Sequence, residues 1–413
     1  MPLPAIPEVI GHDLKQFIEG HASHTTPKKS LGSPCGDAHN RAQTQTTERP
    51  PMERRDFIKG AGLGLTATAA SAFSPSAFAD LPTIKWRLAS SFPKSLDTIY
   101  GAADLLSDRL NRITGGKFQV RVYAGGELVP GLQVMDAVQN GTVECGHTAS
   151  YYYVGKNMAL AFDTALPFGL TARQQNAWMY FGGGLALTRD LFKTYNIVNF
   201  PGGNTGAQMG GWFRKEVESL DDLKGLKMRI PGIGGKIMAK LGAVPQTLAG
   251  GDIYPALERG TIDATEWVGP YDDEKLSFYK VAKHYYYPGW WEGGPQLSFY
   301  VNKQKWDELP EAYKAAFETA CAEANVNMLA EYDYKNPLAL MRLVKQGVKL
   351  HPFPKDVMQA AYQAAFDLYE EEAQKNPSFA RIYAEWKKFR DMEIQWHRLS
   401  EASYANFIYS QRK

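Results

Sequence analysis

One phrase occurs twice in the chain. Gly125-Gly126-Glu127-Leu128 followed by Asp136-Ala137-Val138-Gln139-Asn140-Gly141-Thr142-Val143-Glu144 resembles Gly250-Gly251-Asp252-Ile253 followed by Pro255-Ala256-Leu257-Glu258-Arg259-Gly260-Thr261-Ile262-Asp263. Each copy reads as a glycine turn, a short helix, a Gly-Thr helix stop and a strand. Two similar lobes facing each other across a cleft are the economical explanation, although two unrelated helix-glycine-strand units would also match over so short a span. In paired α/β lobes ligands bind beyond the carboxyl ends of the strands. Gly146-His147-Thr148 and Thr265-Glu266-Trp267 are therefore expected to face the cleft.

The surrounding pattern is α/β. Residues 84–89 alternate as a strand, 96–113 carry a helical apolar period closed by Gly115-Gly116, and 118–123 alternate again. A short helix over 132–138 and a strand over 143–147 complete a parallel-rich layer. From Pro310 three long helical patterns follow, 311–334, 355–375 and 379–407, with breaks expected at Asn336-Pro337, Pro352 to Pro354 and Asn376-Pro377. The last of them carries Phe379, Ile382, Tyr383, Trp386, Phe389, Ile394, Trp396, Leu399, Tyr404 and Phe407 on a chain end. Such a surface needs cover, from the body or from a second subunit.

Arg54-Arg55-Asp56-Phe57-Ile58-Lys59 precedes an uncharged stretch over 60–79 that ends in Ala77-Phe78-Ala79. This has the form of a twin-arginine export signal over 52–79, cleaved after Ala79. Pro75 and the many small polar residues argue against a membrane anchor, and no later segment has the ~18 uninterrupted apolar residues of a span. Residues 1–51 read as a disordered leader or as a start assigned too far upstream. The mature protein is expected to be soluble in the periplasm. Lys plus Arg number 46 against 44 Asp plus Glu, a net +2 that offers no basic field for nucleic acid. Cys35, Cys145 and Cys321 are too scattered for a disulfide framework or a zinc spacing.

Enzymatic signatures are missing: there is no GxSxG elbow, HExxH or Walker loop, and only His147, His284, His351 and His397 lie beyond Ala79. Gly232-Ile233-Gly234-Gly235-Lys236 follows a strand but lacks phosphate-loop spacing, so a plain strand-to-helix turn is the expectation. Arg229, at a strand end before a Pro-Gly turn, offers a fork suited to a carboxylate; an ordinary ion pair explains it equally well. Glu266 and Glu292 lie in Gly- and Trp-rich surroundings. A solvated or paired carboxylate is the plainer reading of each. The clusters Tyr151-Tyr152-Tyr153, Tyr285-Tyr286-Tyr287 and Trp290-Trp291 fit cleft walls and core alike.

At these residues the sequence resembles the extracytoplasmic solute-binding proteins of tripartite ATP-independent periplasmic (TRAP) transporters, over nearly all of 81–411. Trp86-Arg87-Leu88-Ala89-Ser90-Ser91-Phe92-Pro93-Lys94-Ser95, Gln208-Met209-Gly210-Gly211-Trp212-Phe213, Gly250-Gly251-Asp252-Ile253-Tyr254-Pro255 and Ala264-Thr265-Glu266-Trp267-Val268-Gly269-Pro270-Tyr271-Asp272-Asp273-Glu274-Lys275 are similar to its 2-oxo acid-binding branch. The resemblance implies a bilobed periplasmic-binding-protein fold, with lobe I over 80–205 and 293–332, lobe II over 206–292 and 333–375, and a C-terminal dimerisation helix over 376–413.

It also implies a receptor, not an enzyme, that binds a small organic acid such as pyruvate or 2-oxobutyrate and hands it to the permease membrane subunits. Arg229 falls on the carboxylate-binding arginine. Gln208, Glu266, the Trp267 carbonyl and Glu292 fall on the ligands of a sodium ion, Gln208 and Glu266 also adjoining the substrate. Tyr152 and Tyr153 lie where the branch places a substrate-contacting tyrosine, with the choice between them open. Charge supports a cation. Arg229, two glutamates and a monocarboxylate sum to −2, and like charges a few ångströms apart repel by about 4 kcal/mol per pair at an effective dielectric near 20. Sodium leaves −1 and calcium 0, so arithmetic does not choose between them. The rivals are a 2-hydroxy acid such as lactate bound with calcium, a longer carboxylate, and a metal-assisted keto-acid enzyme.

Overall fold

Lys85 and Arg87 face outward while Trp86 and Leu88 are buried, the period of two that makes residues 84–90 a strand. This is β1 (Ile84–Ser90), followed by α1 (Gly101–Ile113), β2 (Phe118–Tyr123), α2 (Val134–Gln139), β3 (Cys145–Thr148), α3 (Ala172–Tyr180), α4 (Gly184–Lys193) and β4 (Ile197–Asn204). The chain then crosses to β5 (Trp212–Phe213), β6 (Lys227–Arg229), α5 (Gly232–Lys240), β7 (Val244–Gln246), α6 (Gly250–Glu258), β8 (Ala264–Thr265), α7 (Pro270–Lys275) and β9 (His284–Tyr287). It returns in β10 (Gln296–Asn302) and closes with α8 (Lys303–Asp307), α9 (Glu311–Lys345), β11 (Lys349–Pro352), α10 (Lys355–Lys375), α11 (Pro377–His397) and α12 (Ser403–Gln411). The computed structural model describes residues 80–411. The leader over 1–51 and the export signal over 52–79 lie outside the described residues.

The strands form two sheets, one per lobe, ordered β2-β1-β3-β10-β4 and β11-β9-β5-β8-β6-β7. In the first, β1 runs parallel to β2 and β3, and β10 is antiparallel to β3 and β4. In the second, β6 runs parallel to β7 and β8, and β5 is antiparallel to β8 and β9. Setting β11 aside, the two sheets share one topology.

The repeated phrase is the local signature of that likeness. Gly141 and Gly260 both take left-handed backbone, with φ of 72° and 73°. Thr142 N donates to Ala137 O at 2.9 Å, and Thr261 N donates to Ala256 O at 3.0 Å. Only glycine adopts this cap at no steric cost.

One expected break does not occur. Helix α9 runs from Glu311 to Lys345 through Pro337, which removes one backbone donor but leaves the helix anchored on both sides. Tyr332, Ala339 and Leu343 are buried, and Asn336 Oδ1 accepts from Tyr271 N at 3.0 Å. Tertiary packing here outweighs the local cost of proline. By contrast, Pro354 precedes α10, and Asn376 caps α11 by accepting from Phe379 N with Pro377 in the first turn.

The C-terminal extension divides in two. Phe379, Ile382, Tyr383 and Trp386 of α11 are buried against Phe162 and Tyr369. Beyond Arg390 the apolar groups stand in solvent: Trp396 is 56% exposed, Leu399 76%, Tyr404 70% and Phe407 62%.

Candidate carboxylate and cation site in the interlobe cleft

Arg229 ends β6, and its register partner is Thr265 of the parallel strand β8. Arg229 therefore stands level with Thr265, and Glu266 is the next residue as the chain leaves β8. The guanidinium is 1% exposed. Its Nε donates to Leu248 O at 3.2 Å, and Nη1 donates to Glu266 O at 3.0 Å and pairs with Glu266 Oε1. Cζ lies 5.1 Å from the Trp267 ring centroid, within cation–π reach. These contacts fix the fork and leave Nη2 without a hydrogen bond.

Gln208 and Glu292 arrive on the two crossovers between the sheets. The crossovers are zipped together by Thr205 N to Pro295 O at 3.2 Å, Gln208 N to Glu292 O at 3.1 Å and Gly289 N to Gln208 O at 2.9 Å. Gln208 Nε2 donates to Thr205 Oγ1 at 3.1 Å, which leaves Oε1 unpartnered; Glu266 Oε2 is unpartnered too. Tyr151 OH donates to Glu292 Oε2 at 3.4 Å.

The electrostatics follow from burial. Burial pushes Glu266 up to about 7, against the pull of Arg229, and the charge of Asp273 adds to the rise. Glu292 is driven well above the carboxylate range by burial and then by the charge of Glu266. Tyr151 and Tyr152 are raised by burial and serve as neutral phenols. Two buried carboxylates thus face one guanidinium. Orphaned oxygens on Gln208 and Glu266 suit a hard cation, and the orphaned Arg229 N–H suits a carboxylate. The residues present therefore fit both a cation and an organic anion.

Phe92, Tyr151, Tyr152, Gln208, Arg229 and Trp267 line a cavity of about 10 Å³, room for about one water. At the cleft mouth lies a larger groove of about 570 Å³, walled by the glycine turns of both repeats, including Gly125 and Gly131 on one side and Gly250 and Gly251 on the other. The small inner cavity holds the charged chemistry.

Of the residues singled out in the sequence, Gln208, Arg229, Tyr152 and Trp267 meet at this cavity, and Glu266 and Glu292 adjoin it through Arg229 and Tyr151. Tyr153 is directed elsewhere. Its hydroxyl accepts from Met135 N at 3.2 Å and lies 2.9 Å from Thr148 Oγ1, inside the first lobe. The three tyrosines occupy a 3-10 turn, Ser150–Tyr153, where successive side chains point about a third of a revolution apart. Tyr151, not singled out by itself in the sequence, lines the cavity with Tyr152. His147 sits one layer back, its ring 5.2 Å from that of Phe92, and burial depresses it to about 3. The segment Gly232 to Lys236 is a plain strand-to-helix turn: a Cβ on Gly232 would stand 3.1 Å from Tyr151 Cβ, leaving no phosphate cradle.

Residues 89–376 match the family model of DctP, the bacterial extracellular solute-binding protein family 7. The chain belongs to this family. It is 53% identical over 363 residues to a monocarboxylate 2-oxoacid-binding periplasmic protein of Nostoc, covering 87% of this chain and all of that one. A TRAP transporter solute-binding protein of Bordetella bronchiseptica, a mixed-occupancy dimer with copurified calcium and picolinate in its active site, superposes with a TM-score of 0.79 at 57% identity. That match covers 80% of this chain and 98% of the other. A TRAP solute-binding protein of Pseudoalteromonas atlantica with bound sodium and pyruvate gives 0.76 at 38% identity, over 78% and 99% of the two chains. The DctP-family chain is thus a TRAP-type solute-binding receptor with the family's bilobed fold. Its family consists of transport receptors, which excludes the keto-acid enzyme considered from sequence.

Proposed function

We propose that this receptor captures a 2-oxo monocarboxylate such as pyruvate together with a cation, sodium in the first instance, and delivers it from the periplasm to the membrane subunits of a TRAP permease. The observation that carries this reading is a set of three buried, unpartnered atoms: a donor, Arg229 Nη2, and an acceptor, Gln208 Oε1, on two residues that line the cavity, and a second acceptor, Glu266 Oε2, on the carboxylate paired with Arg229. A 2-oxo acid satisfies both kinds. Its carboxylate takes the guanidinium, and its keto and carboxylate oxygens form a five-membered chelate with a cation held by Gln208, Glu266, the Trp267 carbonyl and Glu292. When bound, that cation supplies the positive charge that lets both glutamates ionise. Pyruvate and picolinate, the ligands of the two structural relatives, share a donor atom one carbon from a carboxylate. That common geometry supports 2-oxo acids over longer carboxylates.

The direct Arg229–Glu266 pair is, in this reading, the resting partner exchange of the site. Ligand carboxylate replaces Glu266 on Arg229, and the cation replaces Arg229 on Glu266. The cavity must widen for this, consistent with lobes that separate about the two crossovers. Export by the twin-arginine signal over 52–79 and a homodimer through the exposed end of the C-terminal extension complete the proposal.

Titration calorimetry with pyruvate in sodium, choline and calcium chlorides at one ionic strength tests it, with native mass spectrometry reporting ligand, ion and oligomer together. Tight 1:1 binding that needs a cation of the right kind is expected. Lactate binding more tightly than pyruvate, or binding indifferent to the cation, overturns it.

A further inference from the structure

The second lobe brings together, at the edge of its sheet, two histidines that lie 67 residues apart in sequence. His351 is on the edge strand β11 and is paired in register with Tyr286 of β9, two residues beyond His284 on that strand. The next strand, β5, pairs its Phe213 with His284, and Glu216 follows three residues later. Adjacent strands thus deliver the three side chains to one spot.

His284 Nδ1 and His351 Nε2 are 3.1 Å apart, and Glu216 Oε1 is 3.1 Å from His351 Nδ1. Glu216 Oε2 is 3.9 Å from His284 Nδ1. One ligand atom from each residue lies within 4.8 Å of the others. Donors around a tetrahedral ion with bonds of about 2.0–2.2 Å stand about 3.3 Å apart; the two short contacts use opposite nitrogens of His351, so an ion between His284 Nδ1 and His351 Nε2 requires the half-exposed Glu216 carboxylate to swing from His351 Nδ1 toward them. The His351 ring is held by stacking on Tyr286, with centroids 5.0 Å apart and planes at 20°. At 3.1 Å the N–H of one ring donates to the lone pair of the other, and a cation bound to both nitrogens would take the place of that hydrogen. Lys349, beside His351, is the opposing charge.

We propose that Glu216, His284 and His351 form a second metal site, for a divalent transition ion such as Zn²⁺, on the outer edge of the second lobe. Imidazole donors suit zinc, copper or nickel, whereas the oxygen-only set in the cleft suits sodium or calcium. The two sites therefore select different ions. Three protein ligands leave the fourth position to water or to a group from outside the chain, and a bound ion ties β11 to β9 and to the segment after β5.

Calorimetric titration of the tag-free full chain with zinc sulfate, beside the double variant His284→Ala/His351→Ala and the single variant Glu216→Gln, tests the site. The wild-type chain is expected to bind one more zinc equivalent than the double variant, and to hold that equivalent at least tenfold more tightly than Glu216→Gln does. Its melting temperature should rise with zinc more than that of either variant. Histidines elsewhere are common to all three chains and cancel. Should the double variant melt well below wild type without zinc, the comparison rests on Glu216→Gln, whose side chain is half-exposed. Zinc titrations indistinguishable between wild type and the folded variants overturn the proposal.

Discussion

Arg229 ends β6, Glu266 directly follows the neighbouring parallel strand β8, and the two pair with each other inside the cleft, yet each keeps one polar atom with no partner. Each member is thus half satisfied, as the proposed capture of a carboxylate by Arg229 and a cation by Glu266 requires.

Replacing Arg229 by Met should weaken pyruvate binding by about 3 kcal/mol or more, the scale for stranding a buried charged partner. Part of that loss comes from Glu266, left uncompensated in a dry site. Calorimetry on the folded variant reads it, and affinity equal to wild type removes Arg229 from the site.

Glu266→Gln and Glu292→Gln should each lower affinity and blunt its dependence on sodium, because each removes charge the cation compensates. Linkage requires pyruvate to raise cation affinity by the same factor as the cation raises pyruvate affinity. Unequal factors, or binding unchanged after chelation and sodium removal, refute a shared site.

Truncation after Asp391 should convert a dimer to a monomer while pyruvate affinity survives. Trp386 and the rest of the buried half of α11 remain in place, and the removed half holds the exposed Trp396, Leu399, Tyr404 and Phe407. Burying several such groups contributes roughly 1.5–3 kcal/mol each. Light scattering on both chains decides, and a full-length monomer at micromolar concentration sinks the dimer.

The ligand-free protein should melt higher at pH 5 than at pH 8. Burial pushes Asp272 up to about 7 and Asp273 up to about 6, while an unfolded aspartate titrates near ~3.9. Between those values the folded chain holds protons that the unfolded chain has shed. Stability is therefore full below about pH 4 and falls as pH rises through 7, with a slope of up to about 1.4 kcal/mol per pH unit per group. Asp272→Asn should flatten this slope, since Asp272 Oδ1 has no donor to compensate its charge. A melting curve that rises with pH, or the same slope in Asp272→Asn, contradicts the assignment.

The first-lobe strands, the repeat, the break at Asn376-Pro377 and the helix stop at Gly260 are legible in the sequence because they depend on local periodicity and backbone preference. Arg229 at a strand end and Glu266 at the end of the second repeat stand out in the sequence itself, whereas Gln208 and the site roles of all three come only through the family resemblance. Their convergence depends on strand register and on two crossovers that no local pattern encodes. Tyr151 could be separated from Tyr153 only once the 3-10 turn was known. Helix α9 was misread at Pro337 because the contacts that carry it through, Tyr271 to Asn336 and Tyr332 to Asp272, come from another element. His284 and His351 have no signature spacing and meet only across the β9–β11 ladder.

The unbroken course of α9 has a mechanical consequence. This helix packs on α1 and β4 of the first lobe and on α7 of the second, so the lobes are joined by a beam as well as by two extended crossovers. Parting them must flex that beam, and its softest point is the turn before Pro337, where one rung of the backbone ladder is missing. Opening of the lobes would then be resisted by a helix that lines neither the inner cavity nor the outer groove. In the proposed cycle of capture and release, the stiffness of that turn, and not the cleft alone, would help set how readily ligand leaves.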